Sequence, residues 1–138
     1  MDGFEAYGHA IVALALIGLM GLLMGPIVGQ RKAALGLAPG ADPVADYGTA
    51  VYRWHRAHQN LSESTGFFVA VTVAAILAGV APFWVNLFAS IFLVARVVML
   101  VVHVRGIGGA QMSLRSMGFG AGMVSCVVLA LLAILEVF

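Results

Sequence analysis

The chain is poor in charge and in cysteine, and both shortages narrow the class of protein it belongs to. Lysine, arginine, aspartate and glutamate make up only 9% of its 138 residues, whereas soluble domains average about 25%. The composition therefore predicts an integral membrane protein. The single cysteine, Cys126, lies deep in an apolar run. It has no internal disulfide partner, and we interpret it as a small packing residue.

Signals for metal and nucleic-acid binding are missing as well. The sequence contains no Cys or His cluster with metal-ligand spacing, no glycine-rich phosphate loop after a strand, and no basic stripe. It also lacks the alternating apolar and polar residues that are typical of membrane barrels. We therefore predict no metal site and no nucleic-acid partner, and an all-α fold.

Long apolar runs are what the chain has in abundance, because 62% of its residues are hydrophobic. A spanning helix needs about 20 apolar residues, and the runs predict helices at residues 9–29, 48–81, 83–104 and 113–137. We expect a single domain over residues 1–138, built as an integral membrane four-helix bundle. The fourth run contains small residues that favour close helix packing in membranes, namely Gly118, Gly120, Gly122 and Ser125.

The charges sort to opposite ends of the predicted helices. The ends next to the first and third connections carry Arg31, Lys32, Arg53, Arg56, Arg105 and Arg115. The other ends carry only Asp2, Glu5 and Glu136. The positive-inside rule predicts that the basic connections are cytoplasmic and that both termini are not. Because acidic residues precede the first run, we expect a retained helix and not a signal peptide.

A dense polar segment, residues 53–63, leads into the second apolar run. In a helix, Arg56, Asn60 and Glu63 share one face. A lipid bilayer would not tolerate that face, so it must contact protein, water or a polar ligand. Arg96 lies within the third run, and the carboxylate of Glu63, at a comparable depth, is its predicted partner.

These polar groups fit a structural interpretation as well as a binding site. An Arg96–Glu63 pair would lock two helices together, with Asn60 as an interhelical hydrogen bond. Arginines near the interface would serve as anchors for membrane lipid phosphates. A binding site is favoured because several cations, an amide and one carboxylate lie at one level. Such a set suits a small anion that also carries an ammonium group.

The polar segment resembles the signature of a known family, the membrane-associated proteins in eicosanoid and glutathione metabolism (MAPEG). The resemblance rests on Arg56-Ala57-His58-Gln59-Asn60-Leu61-Ser62-Glu63, followed by Phe67-Phe68. Ala95-Arg96 and Leu114-Arg115-Ser116 are similar to the third and fourth helices of that family. The resemblance, to prokaryotic-type members, implies a homotrimer in the bacterial inner membrane, with glutathione as cofactor and a lipophilic small molecule as substrate.

The resemblance also implies roles for individual residues. Arg115 would stabilise the glutathione thiolate, because a nearby guanidinium favours the charged sulfur, and Ser116 would be a neighbouring catalytic hydroxyl. Glutathione would be bound by Arg53, Arg56, Asn60, Glu63, Arg96 and His103. The expected activity is that of a glutathione transferase or peroxidase acting on lipophilic electrophiles.

Two other functions remain open. One is a non-catalytic member of the same fold that binds a lipid or a partner protein. This function is favoured by Phe119 and Met99, which stand where enzymatic members carry tyrosine or histidine. The other is a small transporter. Ion coupling usually needs an acidic residue within a span, and here the deep candidate is Glu63, which already has predicted partners.

Overall fold

The structure, a computed structural model, describes residues 3–108 and 114–138. Within these ranges all regular secondary structure is helical, which confirms the predicted all-α class. A short 3-10 turn, Glu5–Tyr7, precedes the long helices. These are α1 (Gly8–Ala33), α2 (Ala50–Ala78), α3 (Pro82–Arg105) and α4 (Leu114–Val137).

The helix ends follow from particular glycine and proline residues. The second helix was expected to reach residue 81, but it ends at Ala78 because Gly79 adopts a left-handed φ of 80° and caps it. Pro82 then begins α3, where a missing N–H costs no hydrogen bond. Helix α1 continues past its predicted end, to Ala33. Ser113, a plausible cap for α4, lies outside the described residues.

All four helices are long and apolar enough to cross a membrane. Their outward faces carry large hydrophobic side chains, and such a surface is stable in lipid but not in water. The most exposed of these within the helices include Leu22, Leu77, Met117 and Leu135. The chain is therefore an integral membrane protein.

Successive helices run in opposite directions. The start of α1 meets the α2–α3 connection, because the Tyr7 hydroxyl donates to the Val80 carbonyl at 2.8 Å and Asn86 Oδ1 accepts from the Ala10 N–H at 3.0 Å. Near the middle, the rings of Phe68 and Phe92 stack with centroids 4.0 Å apart. The opposite end, termed the basic end, contains the end of α1, the start of α2, the end of α3 and the start of α4.

Glycines bring α4 close to α3. A Cβ atom at Gly118 would lie 2.9 Å from Met99 Cγ, and one at Gly122 would collide with the Arg96 guanidinium. At Gly120 a Cβ atom would meet nothing within 4 Å. The predicted close packing is therefore confirmed at Gly118 and Gly122, and Gly120 makes no such approach to the described residues.

Candidate functional site

Polar side chains from three helices and the loop before α2 meet at the basic end. Asn60 Nδ2 lies 3.1 Å from His103 Nε2 and also donates to the Arg56 carbonyl at 3.0 Å. The His103 ring stacks on the Tyr47 ring with centroids 6.2 Å apart, and the Arg115 guanidinium carbon lies 4.3 Å from the Tyr47 ring centre. We term Tyr47, Asn60, His103 and Arg115 the polar cluster.

Most of the polar cluster is shielded from the surface. Arg115 is 7% exposed and His103 is 3% exposed, while Tyr47 and Asn60 are half-buried. His103 Nδ1 has no hydrogen-bond partner among the described residues. A buried polar atom without a partner costs free energy, and a ligand that supplies the partner recovers it. The cluster therefore offers an amide, an imidazole and a guanidinium to a polar ligand.

Two further arginines of the polar segment differ in what they contact. Arg56 Nη1 donates to Gln59 Oε1 at 2.7 Å, so Gln59 orients this guanidinium. Arg53 instead fastens the loop to α3, since its Nη1 donates to the Tyr47 carbonyl at 2.7 Å and its Nε to the Val104 carbonyl at 3.4 Å. The structure thus gives Arg53 a structural role, and its contact with a cofactor stays a prediction.

The predicted ion pair between Arg96 and Glu63 is wrong within a single chain. Glu63 is exposed on α2, whereas Arg96 is 2% exposed and lies between α3 and α4. Its guanidinium carbon lies 4.7 Å from the Phe92 ring centre and 5.3 Å from that of Phe119, and Nη1 donates to Met99 Sδ at 3.0 Å. The two residues have similar depths in the bundle, but their helices turn them to different faces.

Arg96 nevertheless lies directly behind the polar cluster. It lines a cavity of about 10 Å³ together with Asn60, Met99 and residues of α1, which is close to the smallest space that holds one water molecule. Its Nε and Nη2 atoms have no hydrogen-bond partner among residues 3–108 and 114–138. Arg96 is therefore a buried cation that receives little compensation from the chain itself.

We expect Arg96→Met to stabilise the fold. An arginine at the centre of a spanning helix costs about 2.5–3.5 kcal/mol on insertion scales, and methionine keeps the length and the contacts with Phe92 and Phe119. Part of that cost is offset by the rings, so the expected gain is on the order of 1 kcal/mol. Thermal unfolding in detergent measures it. A lower melting temperature would show that the aromatic contacts outweigh the cost of burial.

Ser116 does not join the polar cluster in this chain. It is exposed on α4, whereas the adjacent Arg115 is buried. Successive residues on a helix point in directions about 100° apart, which separates the two side chains. The predicted role of Ser116 beside the glutathione sulfur therefore stays a prediction.

A separate cavity of about 420 Å³ lies beneath the loop that joins α1 to α2. Lys32, His55 and His58 are among its lining residues. His55 Nε2 lies 3.2 Å from Asp42 Oδ1, which connects the loop to α2. On the neighbouring surface the Arg31 guanidinium covers the Trp54 ring at 4.6 Å. The described lining of this cavity comes from α1, α2 and the loop between them.

Tyr47 is the member of the cluster that the sequence analysis does not identify. It belongs to the loop, and its contacts with His103 and Arg115 depend on how α3 and α4 fold back. The sequence gives only a weak signal for it, which is an aromatic residue a short distance before the polar segment. Position in the chain alone does not show that it meets two predicted site residues.

These features define a class, namely an integral membrane protein of four helices with a polar cluster at one end. The MAPEG family model matches residues 9–135, nearly the whole chain. The chain therefore belongs to the MAPEG family, as the resemblance of the polar segment predicts. No curated protein matches the sequence. The family includes glutathione transferases and peroxidases as well as non-catalytic members.

Proposed function

We propose that this protein binds glutathione at the basic end and uses its thiolate to attack lipophilic electrophiles or peroxides dissolved in the bilayer. Family membership supports the cofactor, since MAPEG members commonly use glutathione. The observation that carries the proposal is the position of Arg115. Arg115 is buried, and its guanidinium lies over the ring of Tyr47. Tyr47 stacks on His103, and His103 in turn contacts Asn60.

The available groups match the chemistry of the tripeptide. Glutathione carries two carboxylates, one ammonium group and a thiol. Arg56 suits a carboxylate, because a guanidinium donates two parallel hydrogen bonds to it, and Glu63 suits the ammonium. A free thiol titrates near ~8.5, and a neighbouring guanidinium lowers this value, so more thiolate is present at neutral pH. The sulfur then displaces a leaving group from an electrophilic carbon, or attacks a peroxide oxygen and expels the alkoxide.

The exposure of Glu63 supports a site shared between subunits, and the frequent trimers of the MAPEG family support a homotrimer. An exposed carboxylate within a spanning helix is costly against lipid, so Glu63 needs cover from another polar group. A neighbouring subunit with bound glutathione between the two chains would supply it. We propose that Glu63 and Ser116, both exposed in one subunit, complete the site of the next.

A groove of about 490 Å³ between α3 and α4 is suited to the lipophilic substrate. It is open on the outer face of the bundle and is lined almost entirely by apolar side chains, including Leu87, Val94 and Leu114. Leu114 directly precedes Arg115. The groove therefore extends to the start of α4, the end of the bundle where the thiolate is proposed to lie.

We place the basic end on the cytoplasmic side of a bacterial inner membrane, with both termini on the other side. The charges support this orientation, because Lys and Arg concentrate in cytoplasmic connections. In this arrangement glutathione reaches the site from the cytoplasm, and the electrophile reaches it from the lipid.

Binding is tested by thermal unfolding with and without glutathione. A ligand that binds only the folded state stabilises it by about 2.7 kcal/mol at a concentration of 100 times its Kd, so the wild-type melting temperature should rise. The rise should shrink in Glu63→Gln, because the ammonium loses its partner. The matched control is Glu136→Gln, which changes an exposed carboxylate at the other end of the bundle. If millimolar glutathione leaves the wild-type midpoint unchanged, the proposed cofactor is wrong.

A non-catalytic binder is the second candidate, and one observation favours it. Met99 and Phe119 both contact Arg96, and these positions of α3 and α4 bring no hydroxyl to the polar cluster. A non-catalytic member would show the thermal shift with glutathione or a lipid but would not conjugate a chlorinated aromatic. Turnover of that substrate or of a lipid hydroperoxide by the wild-type protein therefore separates the two functions.

A further inference from the structure

Tyr47 connects the loop before α2 with α3 and α4. The Arg115 guanidinium carbon lies 4.3 Å from the centre of its ring. The His103 ring lies 6.2 Å away and nearly parallel, at an interplanar angle of 16°. Tyr52 meets it edge-on at 5.1 Å and 81°. The Tyr47 ring is therefore in contact with an aromatic residue, an imidazole and a guanidinium at once.

The backbone around Tyr47 is fixed on both sides of the ring. Arg53 Nη1 donates to the Tyr47 carbonyl at 2.7 Å and to the Gly48 carbonyl at 3.0 Å. The Gly48 N–H donates to Asp46 Oδ1 at 2.8 Å, and the Thr49 hydroxyl donates to the Asp46 carbonyl at 2.9 Å. A ring on such a backbone has a defined position, although it belongs to a loop.

We propose that Tyr47 is a positioning residue for Arg115, and that its ring face holds the guanidinium where the glutathione thiolate forms. This inference rests on the proposed function. An arginine side chain has several rotatable bonds, and each must be fixed before its charge stabilises a developing anion. A cation over an aromatic face is attracted by the ring electrons, so the ring fixes the guanidinium without neutralising its charge as a carboxylate would.

The ring, and not the hydroxyl, carries this role. The contact with Arg115 is made to the ring face, and the stacking with His103 is also a ring contact. His103 in turn meets Asn60. Phenylalanine keeps these contacts because its ring has the same shape, whereas leucine and methionine fill the space without an aromatic face.

The test is the pKa of the thiol of bound glutathione, followed by the ultraviolet absorbance of the thiolate as pH is raised. The variants are Tyr47→Phe, Tyr47→Leu and Tyr47→Met, each saturated with glutathione. We expect the phenylalanine variant to match wild type. In the leucine and methionine variants the thiol pKa should rise by about 1 unit, which at a pH below both pKa values leaves about tenfold less thiolate and a tenfold lower conjugation rate. Glutathione affinity should stay at the wild-type value when it is measured well below the thiol pKa, where the ligand binds as the thiol.

Tyr52→Leu is the matched control, because it removes a tyrosine from the same end whose ring meets Tyr47 edge-on, and the Arg115 guanidinium lies over the Tyr47 ring. Its thiol pKa should equal that of wild type, and two non-aromatic variants at Tyr47 guard against the misfolding of one. If the thiol pKa keeps its wild-type value in both Tyr47→Leu and Tyr47→Met, the inference is wrong, whereas the proposed function is unaffected. The inference would also be wrong if the thiol pKa rose in Tyr47→Phe, or if it rose in Tyr52→Leu by as much as in Tyr47→Leu. If wild type binds no glutathione thiolate, the proposed function and the inference both fall.

Discussion

Replacing Arg115 by alanine is expected to lower the rate of glutathione conjugation about 100-fold, the loss typical when one preorganised donor to a developing anion is removed. The guanidinium is buried at the polar cluster, where a charge is screened weakly and acts strongly on a nearby sulfur. The loss should be greatest near neutral pH and smaller in alkaline solution, where the thiol ionises without help. Initial rates with a chlorinated aromatic substrate, measured across pH, check both statements.

Arg105→Ala is the matched control for this experiment. Arg105 is an exposed cation at the same end of the bundle, so its removal changes the net charge equally without touching the polar cluster. We expect wild-type conjugation from it. Equal activity of the Arg115 and Arg105 variants would show that Arg115 has no part in thiolate formation.

The second large effect is expected from Gly122→Ala, which should destabilise the bundle by about 1–3 kcal/mol, the usual cost of overpacking a core. The new methyl group would collide with Arg96 Nη2 and lie 3.1 Å from its Cζ atom. The guanidinium has little room to move, since Phe92, Phe119 and Met99 already surround it. The melting temperature in detergent should fall accordingly.

Gly120→Ala provides the comparison, because a Cβ atom there meets no atom of the described residues within 4 Å. Alanine has a higher helix propensity than glycine by about 1 kcal/mol, so this variant should be as stable as wild type or more so. In an Arg96→Ala background, Gly122→Ala should also be tolerated, since the colliding group is gone. A large loss from Gly120→Ala, or none from Gly122→Ala, would contradict the packing described here.

The fold was predictable because its signals are long and local. Runs of about twenty apolar residues require spanning helices whatever their tertiary partners. The ends were less predictable, since the second helix stops at Ala78 only because Gly79 turns left-handed before Pro82. The helix was predicted to reach residue 81 because Val80 and Ala81 continue the apolar run, which gives no sign of the turn.

The candidate site was only partly predictable, because helix faces decide which residues meet. Asn60 and His103 do come into contact, as shared depth on adjacent helices allows. Arg96 and Glu63 have comparable depth but different faces, and sequence spacing does not fix the rotation of one helix against another. The place of Tyr47 in the site could not be predicted, because its ring contacts depend on the path of a loop whose sequence has no repeating pattern.

The central claim is that glutathione binds at the polar cluster with its sulfur beside Arg115. An experimental structure of the protein with saturating glutathione measures this directly. Our account predicts density for the tripeptide at the basic end, with the sulfur about 3–3.5 Å from an Arg115 nitrogen, which is the range of a charge-assisted hydrogen bond to sulfur. An empty cluster at saturation, or a tripeptide whose sulfur lies away from Arg115, would contradict it.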